Sequence, residues 1–197
     1  MYNCSRPLQS ALLLADCQIH PPPAEYDLAQ TVYSSSGELI DLKKCLTLMD
    51  LFQLNLSKVR LVVISACETG LFETNSLEYE CAGLSTGFLF AGANTVVCSL
   101  WTVPDISTGI LMVQFYQVLK AKNQTGLPVN VALALKHAQN WLRTLTLAGL
   151  EAQRSSLPDF MHDNFDHDIQ RLKRKYSAND CPFNSPYYWA AFTAVGQ

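Results

Sequence analysis

The sequence lacks the features of a nucleic-acid-binding, secreted or membrane-spanning protein. Its 14 Lys and Arg residues are outnumbered by 17 Asp and Glu residues, and the densest basic cluster, within residues 171–175, is too small for a nucleic-acid footprint. No basic segment followed by an apolar core occurs at the N-terminus, so no secretory signal is indicated. Residues 81–104 carry no charge, but glycine and hydroxyl side chains interrupt them too often for a membrane span. We therefore expect a cytoplasmic protein that contacts neither nucleic acid nor membrane.

The sequence also lacks the cysteine spacing of metal sites and disulfide frameworks. Seven cysteines is an odd number, and no two of them form a C-x-x-C pair. Zinc knuckles use such close pairs, and small secreted proteins pair an even number of cysteines. The pattern favours reduced thiols in the cytoplasm, and it predicts neither a bound metal nor a cofactor.

The spacing of apolar residues predicts one α/β domain. With 197 residues, of which 49% are hydrophobic, the chain is long enough for a single sizeable core. Apolar runs predict strands, and apolar residues at three- and four-residue steps predict helices. The predicted strands cover residues 8–16, 61–64, 95–100 and 189–195. The predicted helices are a short one within the apolar run 45–52, beginning after Thr47, and those over 82–91, 105–121, 130–147 and 159–176. Strands alternating with helices favour a mainly parallel sheet with helices on both faces.

A few residues carry specific signals for the ends of these elements. Thr47 is a predicted N-cap, and Asp50, three residues later, completes a capping box. Gly92 is expected to close the helix over 82–91. Three prolines follow His20, so residues 20–37 are predicted to form a loop. The charged segment 159–176 is predicted to be a solvent-facing helix.

The most informative stretch is LVVISACETG, residues 61–70, in which a buried strand leads to Cys67. In an open parallel sheet, reactive groups lie beyond the carboxyl ends of the strands, so Cys67 is in the position of a nucleophile. A nucleophilic cysteine needs a base, usually histidine. Two other interpretations stay open: a buried thiol that acts as a small hydrophobic residue, and a redox-sensing thiol.

Several blocks of the sequence resemble one known family. They are SACETG after an apolar strand, GLSTGFLFAGANTVVCSLW with the valine and aspartate that follow, FYQVLK, ALKHAQNWLR and the closing PYYWAAF. In this order they resemble the CHAT domain family, which consists of caspase-like cysteine peptidases often joined to tetratricopeptide-repeat (TPR) helices. The resemblance implies a caspase-like α/β fold, a protein or peptide substrate, and a TPR-type sensor or regulatory module as partner. It also implies that Cys67 acts as the nucleophile.

The resemblance further implies a histidine base in a His-Gly motif, and the sequence contains none. In the family this motif precedes a segment similar to residues 7–16, which would put the histidine within a residue or two of Met1. We therefore expect an N-terminally truncated chain, with residues 1–197 forming the C-terminal portion of a single CHAT domain whose leading strands are missing. His20 lies 47 residues before Cys67, but prolines follow it, and it is the disfavoured alternative base.

Three residues near the presumed crevice are candidates for substrate binding. Glu68 and Asp105 are acids that would favour a basic residue before the cut, and Trp101 is a candidate pocket wall. For Asp105 we favour a second interpretation, an N-cap of the helix that begins there, because a carboxylate accepts backbone N–H bonds at that position. Trp101 is equally explained as a core residue at a strand end.

One further cluster has the spacing of a metal site. Two histidines and two aspartates stand at i, i+4 spacing on the last long helix, and a solvated charged face explains them better than a metal does. These residues are His162, Asp163, Asp166 and His167.

Two functions from different classes follow. The first is a CHAT-type cysteine endopeptidase domain that is inactive as this chain because the His-Gly motif is absent. The alternative is a catalytically dead caspase-like module that serves as a binding or scaffold partner.

Overall fold

A computed structural model describes residues 8, 10–14, 16–19, 30–33, 39–64, 83–124 and 129–197. The chain divides into two compact units, Met1–Trp101 with Val195–Gln197, and Thr102–Ala194. This division leaves the prediction of a single domain untested. Cys67, Glu68 and His20 lie outside the described residues.

The first unit contains two small antiparallel sheets. Strand β1 (Ala11–Leu13) pairs with β4 (Cys45–Thr47), and β2 (Thr31–Tyr33) pairs with β3 (Leu39–Asp41). The predicted strand over 8–16 is confirmed in its central part. Strand β2 lies in the segment predicted to be a loop, so that prediction was wrong at residues 31–33. Strand β4 ends at Thr47, the predicted N-cap, and the short helix predicted after it is confirmed.

The capping box predicted at Thr47 is confirmed and begins helix α1 (Leu48–Leu51). Thr47 Oγ1 accepts a hydrogen bond from the backbone N–H of Asp50 at 3.1 Å, and the Asp50 carboxylate accepts one from the Thr47 N–H at 2.9 Å. Two otherwise unpaired N–H groups of the first turn are thereby satisfied.

The parallel part of the fold is the pair β5 (Leu61–Ile64) and β6 (Thr95–Ser99), as predicted. Helix α2 (Leu84–Phe90) lies between them in sequence and ends before Gly92, whose φ of +105° suits glycine. A third strand, β7 (Phe192–Gly196), extends the sheet order to β5–β6–β7. Whether the whole sheet is mainly parallel, with helices on both faces, stays a prediction.

The apolar face of this sheet packs on the two helices. Leu48, Leu51 and Phe88 join Val96 and Cys98 in one buried cluster. All five residues of β6 are buried, as the apolar run predicts.

The second unit consists of helices. They are α3 (Asp105–Asn123), α4 (Val131–Thr144), α5 (Leu147–Glu151), α6 (His162–Lys173) and the short α7 (Pro186–Trp189). Short 3₁₀ turns at Ala152–Ser156 and Asp159–Met161 connect α5 to α6. Helices α3, α4 and α7 pack on one another, as do α5 and α6.

Three sequence predictions for this unit need correction. The predicted helix over 130–147 ends at Thr144, and a separate helix starts after the N-cap Thr146. The predicted strand over 189–195 starts only at Phe192, because Ser185 and Pro186 begin a helical turn. Helix α6 is amphipathic rather than wholly solvent-facing, since Phe165 and Ile169 are buried.

Among the described residues, the helices are all too short or too polar to cross a membrane.

Candidate active site

The parallel register of β5 and β6 defines the edge where the candidate site begins. Ile64 is opposite Cys98 in this register, so both strands end at the same edge of the sheet. The chain leaves β5 after Ile64 and reaches Cys67 three residues later, while β6 ends at Ser99 and is followed by Trp101. The carboxyl edge of a parallel sheet is where open α/β folds bind their ligands. The positions of Cys67 and Glu68 themselves stay predictions.

Cys98 shows what a structural cysteine looks like in this fold. It is fully buried in the centre of β6, within the cluster formed with Leu48 and Val96. Burial raises the pKa of its thiol and outweighs the nearby Ser85 hydroxyl, which lowers it. A protonated, enclosed thiol is not a nucleophile, so Cys98 is a core residue.

Trp101 and Asp105 lie on either side of the division between the two units. Trp101 is half-buried at the end of the first unit. Its role as a pocket wall stays a prediction.

Asp105 is exposed and is the first residue of α3, not its N-cap. Pro104 occupies the N-cap position with extended backbone, and no side-chain cap hydrogen bond forms there. The favoured N-cap interpretation of Asp105 was therefore wrong. A carboxylate in the first turn still interacts favourably with the positive end of the helix dipole.

Asp105 also lines a pocket in the second unit, between α3 and α6. The cavity measures about 490 Å³, and its lining includes Ile110, Leu157 and Phe165. Sequence reasoning missed this pocket because it joins two helices that are far apart in the chain. Phe165 and Ile169, four residues apart in a charged segment, were the available signal for an apolar face on α6.

Two of the four residues with metal-site spacing have other partners in the structure. Arg154 forms a bidentate contact with the Asp166 carboxylate, and a ring nitrogen of His162 lies 3.1 Å from the Leu157 carbonyl oxygen. Across the described ranges, no three metal-ligating side chains come together. The solvated charged face stays the preferred prediction for this cluster.

A known protein family matches this chain. The family model of the CHAT domain matches residues 4–197. The chain belongs to the CHAT domain family. None of the curated proteins compared with the chain matches it. The mixed α/β architecture is consistent with a caspase-like CHAT fold, and membership implies a function related to that of the caspase-like peptidases.

A nucleophilic cysteine needs a base, so the histidines of this CHAT domain are relevant to the predicted role of Cys67. There are four, His20, His137, His162 and His167, and none is followed by glycine. His137 is exposed on α4, and His162 and His167 belong to α6. Cys67 follows β5 by three residues in the sequence, and its role as the nucleophile stays a prediction.

Proposed function

We propose that this CHAT domain carries the nucleophile of a cysteine endopeptidase and that Cys67 is that nucleophile. One observation supports this most directly: the parallel register of β5 and β6, which brings the end of β5 to the ligand-binding edge of the sheet three residues before Cys67. The family match over residues 4–197 supports the same assignment.

The proposed reaction is acyl transfer. A histidine takes the Cys67 thiol proton, the thiolate attacks a peptide carbonyl, and backbone N–H groups, including that of Cys67, hold the oxyanion. The same histidine then protonates the leaving amine. Since none of the four histidines lies in a His-Gly motif, we expect no turnover by the 197-residue chain alone.

Substrate contacts are part of the proposal. The exposed carboxylate of Asp105, with Glu68 and Trp101, would favour a peptide with a basic residue before the cut, because opposite charges attract across a partly solvated site. A protein or peptide is the proposed substrate, and a TPR-type module is the proposed regulatory partner.

The assignment of Cys67 can be tested by restoring a base. The chain would be fused behind the strand that carries the His-Gly motif of an active CHAT peptidase and offered a peptide library. We expect the fusion to cleave peptides and the unfused chain not to. Cys67→Ala should abolish cleavage, whereas Cys81→Ala, the matched change at the next cysteine, should leave it intact.

Two outcomes would overturn parts of the proposal. Cleavage that survives Cys67→Ala in the fusion would remove Cys67 from the mechanism. Cleavage by the unfused chain that disappears in Cys67→Ala would show that another base, such as His20, serves Cys67.

The alternative is a caspase-like binding or scaffold module without catalysis. A folded fusion that cleaves nothing, with a far-ultraviolet circular dichroism spectrum like that of the unfused chain, would support this alternative.

A further inference from the structure

The floor of the pocket between α3 and α6 consists of buried apolar residues. Ile110 is 2% exposed, Phe165 5% and Leu157 6%, and each comes from a different element of the second unit. The ring nitrogen of His162 at 3.1 Å from the Leu157 carbonyl holds that segment in place. At about 490 Å³, the cavity is within the size range of small-molecule sites.

The rim of the pocket is acidic and polar. Asp105 comes from α3, and Asn164, His167 and Asp168 come from α6. The Asp168 carboxylate lies 3.2 Å from the Arg171 guanidinium, whose side chain is 69% exposed, so Asp168 is partly neutralised from the solvent side. No lysine or arginine is among the described residues that line the pocket. The carboxylate of Asp105 is therefore the main charge that a ligand would meet.

Gly109 provides space in the middle of α3. A glycine inside a helix costs about 1 kcal/mol relative to alanine. Outside its own helix, a Cβ atom at Gly109 would meet one atom of the described residues within 4 Å, the flexible Met161 Cε at 3.3 Å. Packing among the described residues does not require a glycine at this position. Any larger side chain there would narrow the pocket.

We propose that this pocket binds an amphipathic organic cation, an alkyl or aryl amine. Its apolar part would cover the floor of Ile110, Leu157 and Phe165, and its ammonium group would lie at the rim beside Asp105. The apolar floor favours hydrocarbon, and a rim without lining cations disfavours carboxylate or phosphate ligands. Asp105 is shared with the proposed substrate contacts, but binding in this pocket does not depend on the role of Cys67.

Three probes with the same number of carbon atoms distinguish the contribution of charge to binding from that of the hydrocarbon. Hexylamine, 1-hexanol and hexanoate would be titrated into the full chain, with binding followed by two-dimensional ¹H–¹⁵N NMR. We expect saturable shifts at α3 and α6 residues with hexylamine. Binding should be about threefold to fivefold weaker with hexanol, the scale of one partly exposed charge pair, and undetectable with hexanoate.

Substitutions locate the site. Asp105→Asn should weaken hexylamine binding by the same about threefold to fivefold and leave hexanol binding unchanged. Gly109→Leu should abolish binding of both by filling the cavity. Asp163→Asn, on α6 but outside the described pocket lining, should change neither.

Some results would overturn the proposal. Equal affinity for the three probes, shifts that do not saturate, or equal losses in Asp105→Asn and Asp163→Asn would each do so. If Gly109→Leu does not fold, Gly109→Ala serves instead, and an unchanged hexylamine affinity in that folded variant would remove the cavity from the argument.

Discussion

Arg154 holds Asp166 through two parallel hydrogen bonds, with Nε 2.8 Å from one carboxylate oxygen and Nη2 2.8 Å from the other. The Arg154 hydrogen bonds hold the pKa of Asp166 below its ordinary value. Both side chains are about half exposed. The contact therefore favours the ionised form of Asp166 but adds little to the free energy of unfolding.

Arg154→Gln should raise the pKa of Asp166 towards its ordinary value, because the charge-assisted bonds favour the ionised form. A depressed acid pKa contributes stability above the unfolded pKa, and that contribution is lost as pH falls through the folded pKa. The stability difference between wild type and variant should therefore exist at neutral pH and vanish in acid. NMR titration of the Asp166 carboxyl carbon measures the shift. Arg171→Gln, which removes the partner of Asp168, should leave Asp166 unchanged.

Alanine substitutions at two glycines should change the free energy of unfolding in opposite directions. Gly92 has φ of +105°, and a Cβ there would meet the backbone of Ser57 at 3.0 Å. Gly92→Ala should lower the free energy of unfolding by about 1–3 kcal/mol. Gly109→Ala, inside α3, should raise it by about 0.5–1 kcal/mol because the unfolded chain loses freedom. Urea unfolding compares them, and equal effects would contradict the prediction.

The capping box at α1 should contribute measurably to stability. Thr47→Ala removes the acceptor for the Asp50 N–H, and losing a cap costs about 1 kcal/mol. Urea unfolding followed by circular dichroism should show the decrease. Thr86→Ala, an exposed threonine in α2, is the matched control and should not destabilise the protein. A similar loss in both variants would mean that the cap contributes nothing specific.

Cys45 should make the protein less stable in alkali. Burial, and then the neighbouring Cys17, raise the pKa of the Cys45 thiol to about 11. Between the ordinary thiol pKa and about 11, the unfolded chain loses this proton while the folded chain keeps it, so the free energy of unfolding falls as pH rises. The fall approaches about 1.4 kcal/mol per pH unit in this window. Cys45→Ala should lose this component and Cys181→Ala should keep it, which urea unfolding at several pH values would show.

Elements with strong local signals were predictable from the sequence. The capping box at Thr47, the closing Gly92 and the apolar runs of β5 and β6 all lie within a few residues of the structure they specify. Local chemistry was sufficient there because each signal and its consequence share one turn or one strand.

Elements whose partners are distant in the chain were not predictable from the sequence. Strand β2 exists because β3 pairs with it, and a three-residue strand has too short a pattern to predict alone. The helical turn at Pro186 carried a readable signal, Ser185 followed by proline, but the apolar residues after it favoured a strand. The pocket needs α3 and α6 together, which no local pattern indicates. Of the candidate site, the position of Asp105 and the end of β5 are described, and Cys67 stays a prediction.

The pairing of the strands has a consequence for how the chain folds. Ala11 pairs with Thr47, and Leu61 pairs with Thr95, so most sheet contacts of the first unit join residues more than thirty positions apart. The second unit is built from helices, whose hydrogen bonds are local. Loops must close before distant strands gain their contacts, and local contacts form faster. We expect the helices of the second unit to become protected from hydrogen exchange before β5 and β6 do.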